Sequence, residues 1–221
     1  MSVTNLAYFY ETSRKVRGGR AVWVKDSNGE DRRNVLLGGT ILNPNKDFSH
    51  LWAAQLVEYI PGKGCYIFRS FEVVSASGTA INIKGDGYSD APEVGMLLMV
   101  APNNVATTGQ SAKVTAVEYN AATQIFAVTV DTSLGAIAKG TILVEAKGTA
   151  ANAKAEVLVA NPNTFVEADR DLLPTEGYGI ENANYSISTV YDKQAWIDRM
   201  QPLPDYVLAK NRSYIKGIFW I

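Results

Sequence analysis

With 221 residues, a formal charge of -1 and 47% hydrophobic residues, the chain has ample material for a core. It carries too little net charge for a disordered polyelectrolyte and no basic excess of the kind a dedicated nucleic-acid binder needs. Its single cysteine, Cys65, excludes an intrachain disulfide and a multi-cysteine zinc site.

The length suits one large domain or two small ones. No basic segment followed by a long apolar run opens the chain, and no stretch approaches the roughly 18 apolar residues of a membrane span. The expectation is a soluble protein made in a cytoplasm, with no membrane partner.

In chain order, residues 1–20 read as an N-terminal arm. Leu6, Phe9 and Tyr10 share one side of a short helix that Thr4 or Asn5 can cap. Arg14, Lys15, Arg17 and Arg20 follow, interrupted by Gly18 and Gly19; they form either a solvated turn or a grip on a neighbouring subunit. Ala21-Val22-Trp23-Val24 and Asn34-Val35-Leu36-Leu37 flank Ser27-Asn28-Gly29-Glu30, a hairpin signal, since Asn-Gly supplies the positive φ angles of a tight turn.

Short strands are then expected over residues 54–60, 66–74, 81–83, 94–100, 113–119, 124–130 and 140–145. The run at 94–100 is apolar enough for a strand buried on both faces, and Asn120-Ala121-Ala122-Thr123 reads as a hairpin connection. Gly, Pro, Asn or Asp marks almost every gap, the pattern of a short-strand sandwich or barrel. Residues 147–155 are small and polar and read as an exposed loop or linker. Near the end, Ser188 or Thr189 can cap a short helix over about residues 190–200, which Pro202 and Pro204 stop.

The fold class expected is therefore mainly β, a short-strand sandwich or barrel with a short C-terminal helix and extended terminal arms. Gly39-Thr40-Ile41-Leu42 recurs as Gly140-Thr141-Ile142-Leu143, and Asn43-Pro44-Asn45 with Phe48 recurs as Asn161-Pro162-Asn163 with Phe165. The echo is either common strand-and-turn vocabulary or a trace of two related β units. The second reading divides the chain into an arm (1–20), a composite base module (21–61 plus 156–221) and an inserted β-sandwich or barrel module (62–155).

Chemistry is hard to place. A catalytic triad would need His50, the one histidine, which sits in a turn-like segment with no nucleophile elbow nearby. Cys65, in an apolar run, reads as a small core residue rather than the thiol of a dyad. Glu167, Asp169 and Asp171 alternate beside Arg170 and suit a solvated edge better than a glycosidase pair. Asp86, Tyr88 and Asp90 hint at calcium, but Leu97 stands where an EF-hand places its closing Glu. No phosphate loop or dinucleotide fingerprint is present. The expectation is a protein that is not an enzyme, with no catalytic residue, no cofactor and no metal.

Aromatics crowd both chain ends and suit ordinary core packing, a sugar platform or subunit contact. The candidate partner-contact residues are Phe9, Tyr10, Arg14, Arg17, Arg20, Tyr214, Phe219, Trp220 and Ile221. The apolar ending Phe219-Trp220-Ile221 can pair in its own sheet or add a strand to a neighbour.

Gly39-Thr40-Ile41-Leu42, Val94-Gly95-Met96-Leu97-Leu98-Met99-Val100 and Ala138-Lys139-Gly140-Thr141-Ile142-Leu143 resemble the Gly-Thr-apolar strand starts of bacteriophage head decoration and head fibre proteins. The ending, an acidic stretch, then a short helix and an aromatic C-terminus, resembles auxiliary capsid proteins of crAss-like phages that infect Bacteroides. The resemblance is one of style over the middle and C-terminal two thirds, and it brings no catalytic residues. It implies a structural virion protein on the capsid surface, made in the bacterial host cytoplasm. The implied partners are the major capsid protein and further copies of itself in a homo-oligomer, with no nucleic acid. The competing readings are a carbohydrate-binding β-sandwich of a phage fibre or bacterial surface protein and, less directly, a carboxylate hydrolase.

Overall fold

The computed structural model describes residues 37–39, 41–44, 50–85, 91–166, 170–171, 187–190 and 200–214. Among these, in chain order, lie β1 (Leu37–Gly39), β2 (His50–Leu51), β3 (Leu56–Ile60), β4 (Gly64–Ile67), β5 (Ser70–Ser77), β6 (Ala80–Lys84), β7 (Leu97–Val100), β8 (Ser111–Asn120), β9 (Ile125–Val130), β10 (Ile142–Glu145), β11 (Thr164–Val166), β12 (Arg170–Asp171), β13 (Ile187–Val190) and α1 (Asp205–Tyr214). The protein is mainly β, as its composition and turn spacing imply.

Six strands close into an antiparallel barrel in the order β10-β5-β6-β9-β8-β7. Of the two architectures expected, the barrel is the one these strands form. Two long strands turn its corners. β5 pairs with β10 through Ser70, Phe71 and Glu72, then with β6 from Val73 onward. β8 pairs with β7 through Ser111, Ala112 and Lys113, then with β9 from Val114 onward. The register shifts between Val73 and Ser75 and between Val114 and Ala116. One extra residue bends a strand and increases its twist, which lets it pass from one sheet into the next. Thr115, the extra residue on β8, donates its hydroxyl to the Thr129 carbonyl at 3.1 Å.

Alternation fills the interior. Ile81 and Ile83 of β6 and Phe126, Val128 and Val130 of β9 point inward between exposed neighbours and pack with Phe71, Val73, Val114, Leu98 and Leu143. Two matching turns lead into β7 and β10. Met96 N–H donates to Glu93 O at 3.1 Å and Thr141 N–H to Ala138 O at 3.2 Å, with Gly95 at φ +95° and Gly140 at φ +83°. A turn with positive φ at its third residue favours glycine. No atom lies within 4 Å of a Cβ added at either position. Gly95→Ala and Gly140→Ala should therefore each cost only the backbone term, about 1–2 kcal/mol, and by a similar amount, as read from urea midpoints.

A second sheet runs β1-β13-β11-β3-β4. Its two edges meet: beyond β1 the chain reaches β4, where Ile41 bridges Cys65 in parallel and Leu42 N–H donates to Cys65 O at 2.8 Å. In sequence, the barrel strands lie between the strands that build this sheet. The turn at Pro61-Gly62-Lys63, where the sequence suggested a module boundary, joins β3 to β4 inside one sheet. β12 pairs with β2 separately.

The segment expected as a C-terminal helix is described only at its two ends. Val190, read as its first residue, ends β13, and Ser188 and Thr189, read as caps, pair with Gly38 and Leu37. Met200 lies in a bend, and residues 191–199 fall outside the described residues. A helix not expected from the sequence forms after the prolines: Pro204 O accepts from Val207 N–H at 2.9 Å and Leu208 N–H at 3.1 Å. A residue without an N–H costs nothing at a helix start, and Asp205 complements the dipole in the first turn. Tyr206 anchors this helix, donating its hydroxyl to Val159 O at 3.1 Å in a buried site. Burial, then the charge of Glu58, pushes its phenol well above the ordinary tyrosine range.

Candidate functional site

The most elaborate polar site among the described residues lies where the barrel meets the second sheet. Arg69 immediately precedes β5, and Glu145 ends β10. Antiparallel pairing of these strands brings the two together. The Arg69 guanidinium forks onto the Glu145 carboxylate, Nε to Oε2 at 2.9 Å and Nη2 to Oε1 at 2.8 Å. Its Nη1 reaches Glu93 Oε2 at 3.3 Å. Side-chain exposure is 0% for Arg69 and 4% for Glu145, against 20% for Glu93.

Asn43 ties this pair to the neighbouring sheet. Its Nδ2 donates to Glu145 Oε2 at 3.0 Å and to Ile67 O at 3.0 Å, while its Oδ1 accepts from Ile67 N–H at 2.8 Å. The amide thus occupies the main-chain groups of a strand residue as a partner strand would. Asn163 does the same to Tyr59, accepting from its N–H at 2.8 Å and donating to its carbonyl at 3.0 Å. In the sequence echo Asn43 had been aligned with Asn161; the residue that shares its role is Asn163.

Chemically, this site holds rather than reacts. Both Glu145 oxygens are engaged by charge-assisted bonds, which suit a fixed clamp more than a general base. Desolvating such a pair is costly, and excellent geometry with extra hydrogen bonds offsets that cost. The sequence carried a signal that was passed over. Arg69 interrupts the apolar run Tyr66-Ile67-Phe68-Arg69-Ser70-Phe71, and Glu145 follows Ile142-Leu143-Val144. Charges inside core strands are rarely buried without a partner.

The other candidates do not converge on this clamp. Cys65 sits fully buried on β4, and burial pushes its thiol up from 9.0 to about 11. That is the reverse of an activated nucleophile. His50 lies on β2, its backbone paired with Asp171. Native Cys65 should react with iodoacetamide at pH 8 about 100-fold more slowly than an unfolded thiol, following the two-unit shift. The folded thiol ionises after the unfolded one. Its contribution to stability is therefore intact below pH 9 and is lost as pH rises toward 11.

Phe9, Tyr10, Arg14, Arg17, Arg20, Phe219, Trp220 and Ile221 lie outside the described residues, as do Asp86, Tyr88, Asp90, Glu167 and Asp169. Tyr214 is the last residue of α1. Among the described residues no group of three or more His, Cys, Asp or Glu is placed to hold a metal ion. No helix there is long and apolar enough to cross a membrane. The exposed large hydrophobic residues there are aliphatic, Val94 at 62% and Val100 at 37%, whereas Trp52, Phe68, Phe71, Phe126, Phe165 and Tyr206 are buried. No protein-family model, curated protein or solved structure matches the chain.

Proposed function

We propose that this chain is a non-enzymatic structural protein of a bacteriophage virion, binding the outside of the capsid lattice and stabilising or decorating it. The observation that carries the reading is mechanical: a closed barrel is clamped by the buried Arg69–Glu145–Asn43 network to a sheet built from strands on either side of it in sequence. A closed barrel offers no free strand edge to a neighbour, which leaves lattice contacts to other parts of the chain. The resemblance to head decoration proteins points the same way.

In this reading residues 1–20 and 214–221 anchor the protein to the major capsid protein and to neighbouring copies, and the barrel faces outward. A stable contact needs at least about 1,000 Å², and multiplication over a lattice strengthens each one. The test mixes the purified protein with capsid shells that lack it and measures bound protein by sedimentation. Saturation at a fixed ratio, lost when both terminal segments are deleted, is expected. A protein that stays in the supernatant overturns the reading and directs work to a glycan array, where the carbohydrate-binding alternative would appear.

A further inference from the structure

The barrel is built twice. β5-β6-β7 and β8-β9-β10 superimpose by their pairing, with β5 answering to β8, β6 to β9 and β7 to β10. Each contact then has its image: β5–β6 matches β8–β9, β5–β10 matches β8–β7, while β6–β9 and β7–β10 each map onto themselves. Single hydrogen bonds obey the same two-fold. Gly95 N–H to Val114 O (2.9 Å) repeats as Gly140 N–H to Val73 O (2.8 Å). Val114 N–H to Met96 O repeats as Val73 N–H to Thr141 O, both 2.9 Å, and Ala101 N–H to Ile142 O repeats as Ala146 N–H to Leu97 O, both 2.9 Å. Ser70 and Ser111, Val73 and Val114, Ala80 and Ala127, Gly95 and Gly140, and Leu98 and Leu143 are the same residue at matching positions.

The two halves are interlocked rather than side by side. β7 pairs with β8 and β10, and β10 pairs with β5 and β7, so each half gives its third strand wholly to the other. The second sheet divides at the same point in the chain: β1, β3 and β4 come before the connection between the halves, β11 and β13 after it, and they pair across that division as β1–β13 and β3–β11. A single connection at residues 101–110 therefore separates two complementary portions of one fold. It contains no named strand. Its ends are tied, Ala101 to Ile142 and Gly109 to Ala155, while the bonds between them are local, Ala106 N–H to Asn104 Oδ1 at 3.0 Å and Thr107 N–H to Asn104 O at 2.9 Å.

We propose that two copies of this chain exchange these portions, residues up to 100 of one copy completing the fold with residues from 111 onward of the other. The surface concerned is the set of seams between the halves, and the partner it fits is a second copy, because that copy carries the complementary strands in the same register. Every strand pairing of the single chain is kept, and what opens is the local turn at Asn104 with the packing of Val105 against the core. The seven residues between the tied ends, 102–108, reach about 23 Å when extended, which lets them pass into a neighbouring unit. Closure within one chain competes at an effective concentration of about millimolar. Exchange is therefore a feature of refolding at high concentration, or of copies crowded side by side, and it holds whatever surface the protein binds.

The test uses the full chain in two versions, each with one cysteine added to the native Cys65. Asn82 on β6 and Ala127 on β9 are register partners, and both are exposed. Asn82→Cys and Ala127→Cys chains are unfolded together, refolded over a range of concentrations, and only then oxidised with oxidised glutathione, when Cys65 is again buried. Ala80→Cys with Thr129→Cys, the next exposed register pair, serves if either version lacks the wild-type near-ultraviolet circular dichroism. The expected result is a covalent dimer in the mixture that neither version gives alone, with native circular dichroism and a yield rising with concentration. A mixture with no more covalent dimer than the separate controls, or a dimer without the native spectrum, overturns the proposal.

Discussion

Glu145→Ala is expected to remove about 3–5 kcal/mol of stability, the usual cost of breaking a buried ion pair from one side. The substitution strips Arg69 of its bidentate partner at a site where its side chain is 0% exposed. It also takes one acceptor from Asn43, which holds Ile67 of the neighbouring sheet. Against a typical total of about 5–15 kcal/mol, this is enough to leave a substantial unfolded population under mild denaturant. Arg69→Ala should cost a similar amount, because Glu145 then loses its bidentate partner at a buried site. The pair replaced together, Arg69→Met with Glu145→Leu, should recover most of the loss, since apolar groups of similar volume need no counter-charge. Glu93→Gln should matter far less, under about 1 kcal/mol, because the carboxylate it changes is partly solvated. Urea unfolding of the four variants decides the matter. A Glu145→Ala cost below about 1 kcal/mol would mean that the junction is held by the apolar contacts around the clamp.

The β character of the chain and most of its barrel strands were legible because they depend on local signals. Alternation at Ile81 and Ile83 and the Asn120 turn each read correctly from a few residues, whereas the run expected as a strand over 94–100 buried on both faces pairs only from Leu97, with Val94 and Gly95 in the exposed turn before it and Val100 exposed. Closure was not legible, because it rests on single extra residues, Val74 and Thr115, whose bulging depends on partners far away in sequence. Two-fold repetition escaped for a related reason. It lives in inward–outward pattern and pairing register, as in the shared burial of β6 and the end of β9, while the echo noticed in the sequence joined Gly39 to Gly140. Gly140 opens a barrel strand, whereas Gly39 closes β1 in the other sheet. The helix at Asp205–Tyr214 was missed because Pro202 and Pro204 were read only as a stop for a preceding helix, whereas a proline also suits the start of a following one. At the site, Arg69 and Glu145 were visible as charges in apolar strands, but their separation in the chain concealed that each was the other's partner.

Phe71→Ala should cost about 3–5 kcal/mol, for a fully buried ring whose removal leaves a void in a closed barrel. The two-fold relation makes a sharper expectation. The residue matching Phe71 on the other half is Ala112, also fully buried and facing the same interior. One half thus supplies a large side chain where the other supplies a small one, which is how a duplicated barrel avoids crowding its own axis. Ala112→Phe alone should overfill the interior and cost about 1–3 kcal/mol. The exchange of both, Phe71→Ala with Ala112→Phe, conserves interior volume and should lie closer to wild type than the sum of the two single changes by at least about 1 kcal/mol. Strict additivity in urea unfolding would mean that the two positions do not share one packing space. That would confine the two-fold to the backbone ladder, with each half packed on its own terms.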